Sequence, residues 1–149
     1  MKQEGTSTID TSYLELLEKT CASPSVLESD NFKVWEEPNP SHVYSIGVDV
    51  ADGVGECASC VQVVDITDLR DIRQVACYND RFIDPDNFSK EIYEIAKIWG
   101  KPWILVERNS MGASTVAGLE HDPFYYERLV SYDAKTKIDY SKHGVQLTL

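Results

Sequence analysis

The sequence predicts an α/β fold, a mixed β-sheet flanked by helices, and three observations predict it. Short apolar runs of strand length, Val43 to Val50 and Ala58 to Ile66, are separated by a loop carrying Asp52, Gly53 and Gly55. One segment has helical spacing, with Phe88, Ile92, Ile95 and Trp99 recurring on a single face. That segment is followed by a further apolar run, Trp103 to Val106, too short to be a second helix. A strand reached through a helical crossover lies parallel to an earlier one, so the sheet should be mixed.

The elements follow in order. Residues 1 to 42 are rich in Ser, Thr, Glu and Pro and read as a linker or tail, with one short helix around Tyr13, Leu14, Leu16 and Leu17. Pro38-Asn39-Pro40-Ser41 punctuates its end, because proline biases its predecessor toward extended backbone. The domain proper is expected over 43–149. Its first two strands form a hairpin-like pair, Thr67 to Asp71 supplies turn chemistry, and Ile72 to Tyr78 makes a third strand, giving a meander. The helix has clear punctuation: Asp84 as N-cap, Pro85 at the first helical position and Gly100 as terminator. Pro102 precedes the buried strand that ends at Glu107. Asn109 or Ser110 then caps a shorter helix through Met111, Val116 and Leu119, and Phe124 to Leu149 reads as strands and loops. The order strand, strand, strand, helix, strand, helix resembles the RNase H-like arrangement.

Bulk properties bound the function. At 149 residues with 42% hydrophobic content, the chain can bury one ordinary core but not two. No apolar stretch approaches the roughly 20 residues of a membrane helix, and the first ten residues lack the apolar core of a signal peptide. No membrane association and no secretion are expected. Four cysteines, Cys21, Cys57, Cys60 and Cys77, without a secretion signal favour reduced thiols and a cytosolic setting. The net charge of -11 repels a polyanion, although divalent cations invert the field at a carboxylate cluster. Lys135, Lys137, Lys142 and His143 gather positive charge near the C-terminus.

The chemistry centres on Asp49, at the end of the first strand, and Glu107, at the end of the fourth. If those strands are parallel neighbours, both carboxylates emerge at one sheet edge, where open α/β sheets bind ligands. Two such acids suit Mg²⁺ or Mn²⁺, hard ions that keep waters and take substrate phosphates as further ligands. In two-metal phosphodiester hydrolysis the ions lie about 3.5 to 4 Å apart and stabilise the attacking and leaving oxygens. Asp49 fits a bridging ligand, Glu107 a ligand to one ion, and Asp52 a supporting ligand through water or on the entry loop. A single strand-end acid is most often merely solvated; the joint placement is what points to metal. Gly53 and Gly55 let the loop approach a phosphate closely, or simply make a tight turn. The start of the second helix, Asn109 and Ser110, can receive a DNA phosphate or serve as an ordinary cap. Cys57 and Cys60 have the spacing of half a zinc site, but nothing completes it, and His121 and His143 read as surface residues.

Two segments carry a family resemblance. Val34-Trp35-Glu36-Glu37-Pro38 leading into Tyr44 to Gly53 resembles the start of the nuclease domain of tailed-phage terminase large subunits. Val106-Glu107-Arg108-Asn109-Ser110-Met111-Gly112 is similar to that family's second acidic motif. The resemblance runs from about Phe32 to the C-terminus. It implies a metal-dependent endonuclease of RNase H-like fold that cuts concatemeric double-stranded DNA during genome packaging. It further implies partnership with the terminase ATPase domain or chain, the portal and the small terminase subunit, at the procapsid in the host cytoplasm. The chain departs from the pattern in two places. The family's third metal-binding aspartate lies in a late Asp-rich segment, and the chain stops at Leu149 before one, so the fold and metal site are expected to be C-terminally incomplete. Asp133 and Asp139 do not match that motif, and Cys57 stands where the family usually has an acid. No GxxxxGK[ST] phosphate loop is present, so this chain is not itself the ATPase. The alternative reading is a catalytically incomplete fragment or a non-catalytic module binding DNA or portal; a resolvase or transposase core is a third.

Overall fold

The computed structural model describes residues 10–108, 111–123, 125–133 and 143–146. Along these residues run α1 (Thr11–Glu18), β1 (Leu27–Glu28), β2 (Phe32–Val34), β3 (Tyr44–Asp49), β4 (Ser59–Asp65), β5 (Arg73–Asp80), α2 (Pro85–Ile98), β6 (Trp103–Val106), α3 (Gly112–Glu120), β7 (Ser131–Asp133) and β8 (Gly144–Gln146). Strands β1 to β6 form one sheet in the order β1-β2-β5-β4-β3-β6. The expected meander is β3, β4 and β5, all antiparallel, with Val48 opposite Val61 and Val61 opposite Tyr78. After the α2 crossover, β6 pairs parallel to β3, with Ile46 beside Ile104 and Val48 beside Val106.

Side-chain alternation decides which face is covered. In β3, Tyr44, Ile46 and Val48 are buried while Asp49 is exposed. In β4, Ser59, Val61, Val63 and Asp65 face inward, and in β6 Ile104 and Val106 do. A period of two residues follows from the pleat, so the intervening positions line the opposite face. The covered face is roofed by α2, whose Phe88, Ile92 and Ile95 join Ile46, Val63 and Ile104 in one core. Fully burying such side chains contributes about 1.5–3 kcal/mol each, more than helix propensity supplies. Asp84 Oδ1 accepts from the amides of Asp86 at 3.1 Å and Asn87 at 3.0 Å, and Gly100, with φ of +73°, ends the helix as expected. Trp99 meets Tyr44 edge-on, with ring centroids 4.9 Å apart. α3 packs on α2 at Gly118, where an added Cβ would lie 2.5 Å from Ser89 Oγ.

Two features differ from the expectations. The segment before residue 43, read as linker or tail, holds the expected short helix α1 but also the strands β1 and β2. β2 pairs with β5, Val34 lying opposite Ala76 and buried in the core. Strands of two and three residues are too short to show alternation, so the sequence gives no sign of them. In the second difference, α3 starts at Gly112 with Met111 at its cap and no side-chain cap bond. The expected cap residues Asn109 and Ser110 lie outside the described residues. Near the C-terminus, β7 and β8 pair parallel, and Val145 bridges to Glu107 at the end of β6.

Candidate functional site

The Val48–Val106 register carries Asp49 and Glu107 to equivalent places one residue further along neighbouring parallel strands. The Glu107 amide donates to Val48 O at 2.8 Å, extending the ladder to the acid itself. Both residues fall on the sheet face opposite α2 and line one open hollow of about 240 Å³, whose floor includes Gly47 and Leu105 and whose walls include Cys60 and Val145. Asp49 also borders a second hollow, of about 290 Å³, with Asp52, Glu56 and Cys57. One carboxylate therefore stands between two recesses, with Glu107 on one side and the Asp52–Glu56 loop on the other.

The surroundings fix these positions through the backbone. Gly112 is indispensable to the Glu107 side: a Cβ built there would lie 1.8 Å from Glu107 O, so the start of α3 can rest on the strand end only without a side chain. Gly144, with φ of +88°, lets β8 close in on the same place, where Arg108 N donates to Val145 O at 2.7 Å. On the Asp49 side, the buried hydroxyl of Ser59 accepts from Ala51 N at 3.0 Å and holds the chain as it leaves β3. Gly53 and Gly55 both have positive φ, +73° and +92°. Their Cα positions back onto Ile83 O and the Phe82 ring, with 2.6 and 2.7 Å available to an added Cβ. That tight packing accounts for the glycines structurally.

Of the residues singled out in the sequence, the fold brings Asp49, Glu107 and Asp52 to adjoining recesses. Asn109, Ser110, Asp139 and the lysines Lys135, Lys137 and Lys142 lie outside the described residues. His143 is paired with Glu120, and His121 is exposed at the end of α3. Sequence reasoning did not assign positioning roles to Gly112 or Ser59. Gly112 was visible inside a quoted motif, but a demand for close approach leaves no periodic signal. Among the described residues, no three His, Cys, Asp or Glu side chains cluster closely enough to hold a metal ion by themselves. Two carboxylates with open space beside them suit a hard ion that completes its shell with water and phosphate oxygens.

Comparison with solved structures decides the fold. The large terminase nuclease from thermophilic phage G20c aligns with a TM-score of 0.59 and 14% identity, over 74% of this chain and 56% of that one. This chain has the large-terminase nuclease fold. The same phage nuclease with bound magnesium aligns at a TM-score of 0.57 over 68% of this chain and 51% of that one, again at 14% identity. Its zinc-bound form gives 0.56 over 68% and 56%. The chain thus spans about half the length of the nuclease chains it matches. No protein-family model matches the sequence, and no curated protein matches it. Among the described residues the chain forms a mixed six-stranded sheet with flanking helices, the RNase H-like arrangement that the element order implied.

Proposed function

We propose that this chain is a divalent-metal-dependent endonuclease domain of the phage terminase type, acting on double-stranded DNA during genome packaging. The observation that carries the reading is the equivalence of Asp49 and Glu107 on adjacent parallel strands, on the face left open by α2. Strands stand about 4.8 Å apart, a separation at which two carboxylates can share one ion or flank a pair of ions. Magnesium- and zinc-bound forms of the G20c nuclease support a divalent ion as the cofactor; Mg²⁺ or Mn²⁺ suits this all-oxygen donor set best.

In this reading Asp49, between the two recesses, would serve both ions, Glu107 would hold one of them, and Asp52 would act through water. The bound ion would lower the pKa of its water and neutralise charge on the scissile phosphate. Neutralisation matters here because a chain of net charge -11 otherwise repels DNA. Gly53, Gly55, Asn109 and Ser110 remain the proposed backbone contacts to phosphate. The ATPase domain or chain, the portal and the small terminase subunit are the proposed partners, met at the procapsid in the host cytoplasm.

A specific observation favours a second reading, a catalytically incomplete or binding-only module: no described trio of ligating side chains surrounds Asp49, and Cys57 occupies the acidic recess. Nicking of supercoiled plasmid separates the two. Endonuclease function predicts Mg²⁺- or Mn²⁺-dependent nicking, blocked by a chelator and abolished by both Asp49→Asn and Glu107→Gln. A folded chain that binds DNA without nicking it, indifferent to Asp49→Asn, would establish the second reading instead.

A further inference from the structure

On the same open face, β4 and β5 bring two thiols together. Cys60 lies opposite Asn79 and Cys77 opposite Gln62, so the two cysteines are diagonal neighbours on adjacent strands. Gln62 sits between them, its Nε2 3.1 Å from Cys60 Sγ and 3.4 Å from Cys77 Sγ. Gln74 donates to Gln62 Oε1, which settles the orientation of that amide and turns its N–H₂ toward the sulfurs. Asn79 Nδ2 adds a third contact at 2.9 Å to Cys77 Sγ. Neutral thiol sulfur is a weak acceptor, so two amide donors converging on Cys77 make a setting that favours a thiolate. The hydrogen bond from Cys60, with Asn79, Gln62 and the charge of Lys33, overcomes burial and pulls the Cys77 thiol below its ordinary range. Cys21 and Cys57, by contrast, are exposed thiols outside this cluster.

We propose that Cys60 and Cys77 form an oxidation-sensitive dithiol, with Cys77 the attacking sulfur and Cys60 the resolving one, and a hydroperoxide as the oxidant. The Cys77 sulfur attacks one peroxide oxygen, the S–O bond forms as the O–O bond breaks, and the released hydroxide takes a proton to become water. The Cys60 sulfur then attacks Cys77, the S–S bond forms, the S–O bond breaks, and a second water leaves with the Cys60 proton. Two thiols lose two electrons and one peroxide becomes two waters. A diagonal cross-strand bridge departs from relaxed disulfide geometry, so it is readily reduced again. Cys60 also lies opposite Asp49 and borders the same hollow, but the thiol test reads neither metal binding nor nicking, so its outcome is separate from that of the nuclease reading.

The test uses the full chain with Cys21→Ser and Cys57→Ser, which leaves two thiols. It is treated with a few equivalents of hydrogen peroxide, quenched with an alkylating reagent and weighed intact. The expected result is a monomer lighter by two hydrogens, with neither thiol alkylated and both recovered after reduction. In a further Cys60→Ser change, Cys77 should stop at a sulfenic acid that dimedone traps. Two fully alkylated thiols in a chain that circular dichroism shows to be folded would overturn the proposal, as would disulfides formed only between chains. Dimedone labelling at Cys60 rather than Cys77 would overturn the assignment of roles.

Discussion

Replacing Gly112 by alanine should lower stability by more than any surface substitution in this chain, and the structure gives the scale. The new Cβ would begin 1.8 Å from Glu107 O and 2.8 Å from Glu107 C, and side-chain carbons essentially never come within 3.0 Å of such atoms. Backbone, not a flexible side chain, stands in the way, so α3 must retreat from the end of β6 by about 1.2 Å. Overpacking of this kind costs about 1–3 kcal/mol, or about 2–12 °C in melting temperature for a domain near this size. Gly47→Ala is the matched control. It lies on the open face with nothing within 4 Å of an added Cβ, and alanine there reduces unfolded-chain entropy without a clash, so it should be neutral or slightly stabilising. Thermal and urea unfolding of the two variants, followed by circular dichroism, reads the difference. Equal melting temperatures for Gly112→Ala and the parent would refute the claim that contact at Glu107 O positions α3.

Three further outcomes are expected. Asp65 is almost fully buried; burial alone would push its carboxyl up, but hydrogen bonds from Thr67 and His42 outweigh it and hold it at about 2, below the ordinary 3.8. A depressed carboxyl stabilises fully above its unfolded value, so roughly 2 kcal/mol should be present at neutral pH and drain away from about pH 4 to pH 2. Asp65→Asn should flatten that part of a stability-against-pH curve, and an unchanged acid limb would contradict the assignment. Magnesium at tenfold excess over its dissociation constant should stabilise the parent by about 1.4 kcal/mol and Asp49→Asn by much less, as read by the melting temperature; equal shifts would place the ion elsewhere. Tyr126→Phe removes the buried hydroxyl that donates to Pro102 O and leaves that carbonyl without its partner, costing about 1–3 kcal/mol in urea unfolding. No loss would mean that water replaces the hydroxyl.

Much of this architecture could be read from the chain because its signals are local. The alternation in β3 and β4, the spacing of Phe88, Ile92 and Ile95, and the Asp84–Pro85 start of α2 each act within a few residues. The parallel return of β6 followed from handedness rules once the crossover helix was recognised. The juxtaposition of Asp49 and Glu107 was legible for the same reason, since two strand-end acids on parallel neighbours must meet. What escaped depends on contacts distant in sequence. β1 and β2 exist only because β5 offers an unpaired edge, Gly112 matters only because β6 ends beneath it, and the Cys60–Cys77 pair is seen only once β4 and β5 are in register. The Cys57–Cys60 spacing could not reveal Cys77, because spacing along the chain says nothing about the neighbour across the ladder.

The alternation that buries Val48 and Val106 also works as a ruler for the acids beyond them. Each acid lies one residue past a core valine, so a single inserted residue before Asp49 would turn either the carboxylate or the valine to the wrong side of the sheet. The spacing of the pair is thereby guarded by the hydrophobic interior, which rejects the same slips that chemistry would reject. Lengthening the turn between β4 and β5 moves neither acid. In such a scaffold, substitutions that keep the inward positions of β3 and β6 apolar leave the separation of the two carboxylates unchanged.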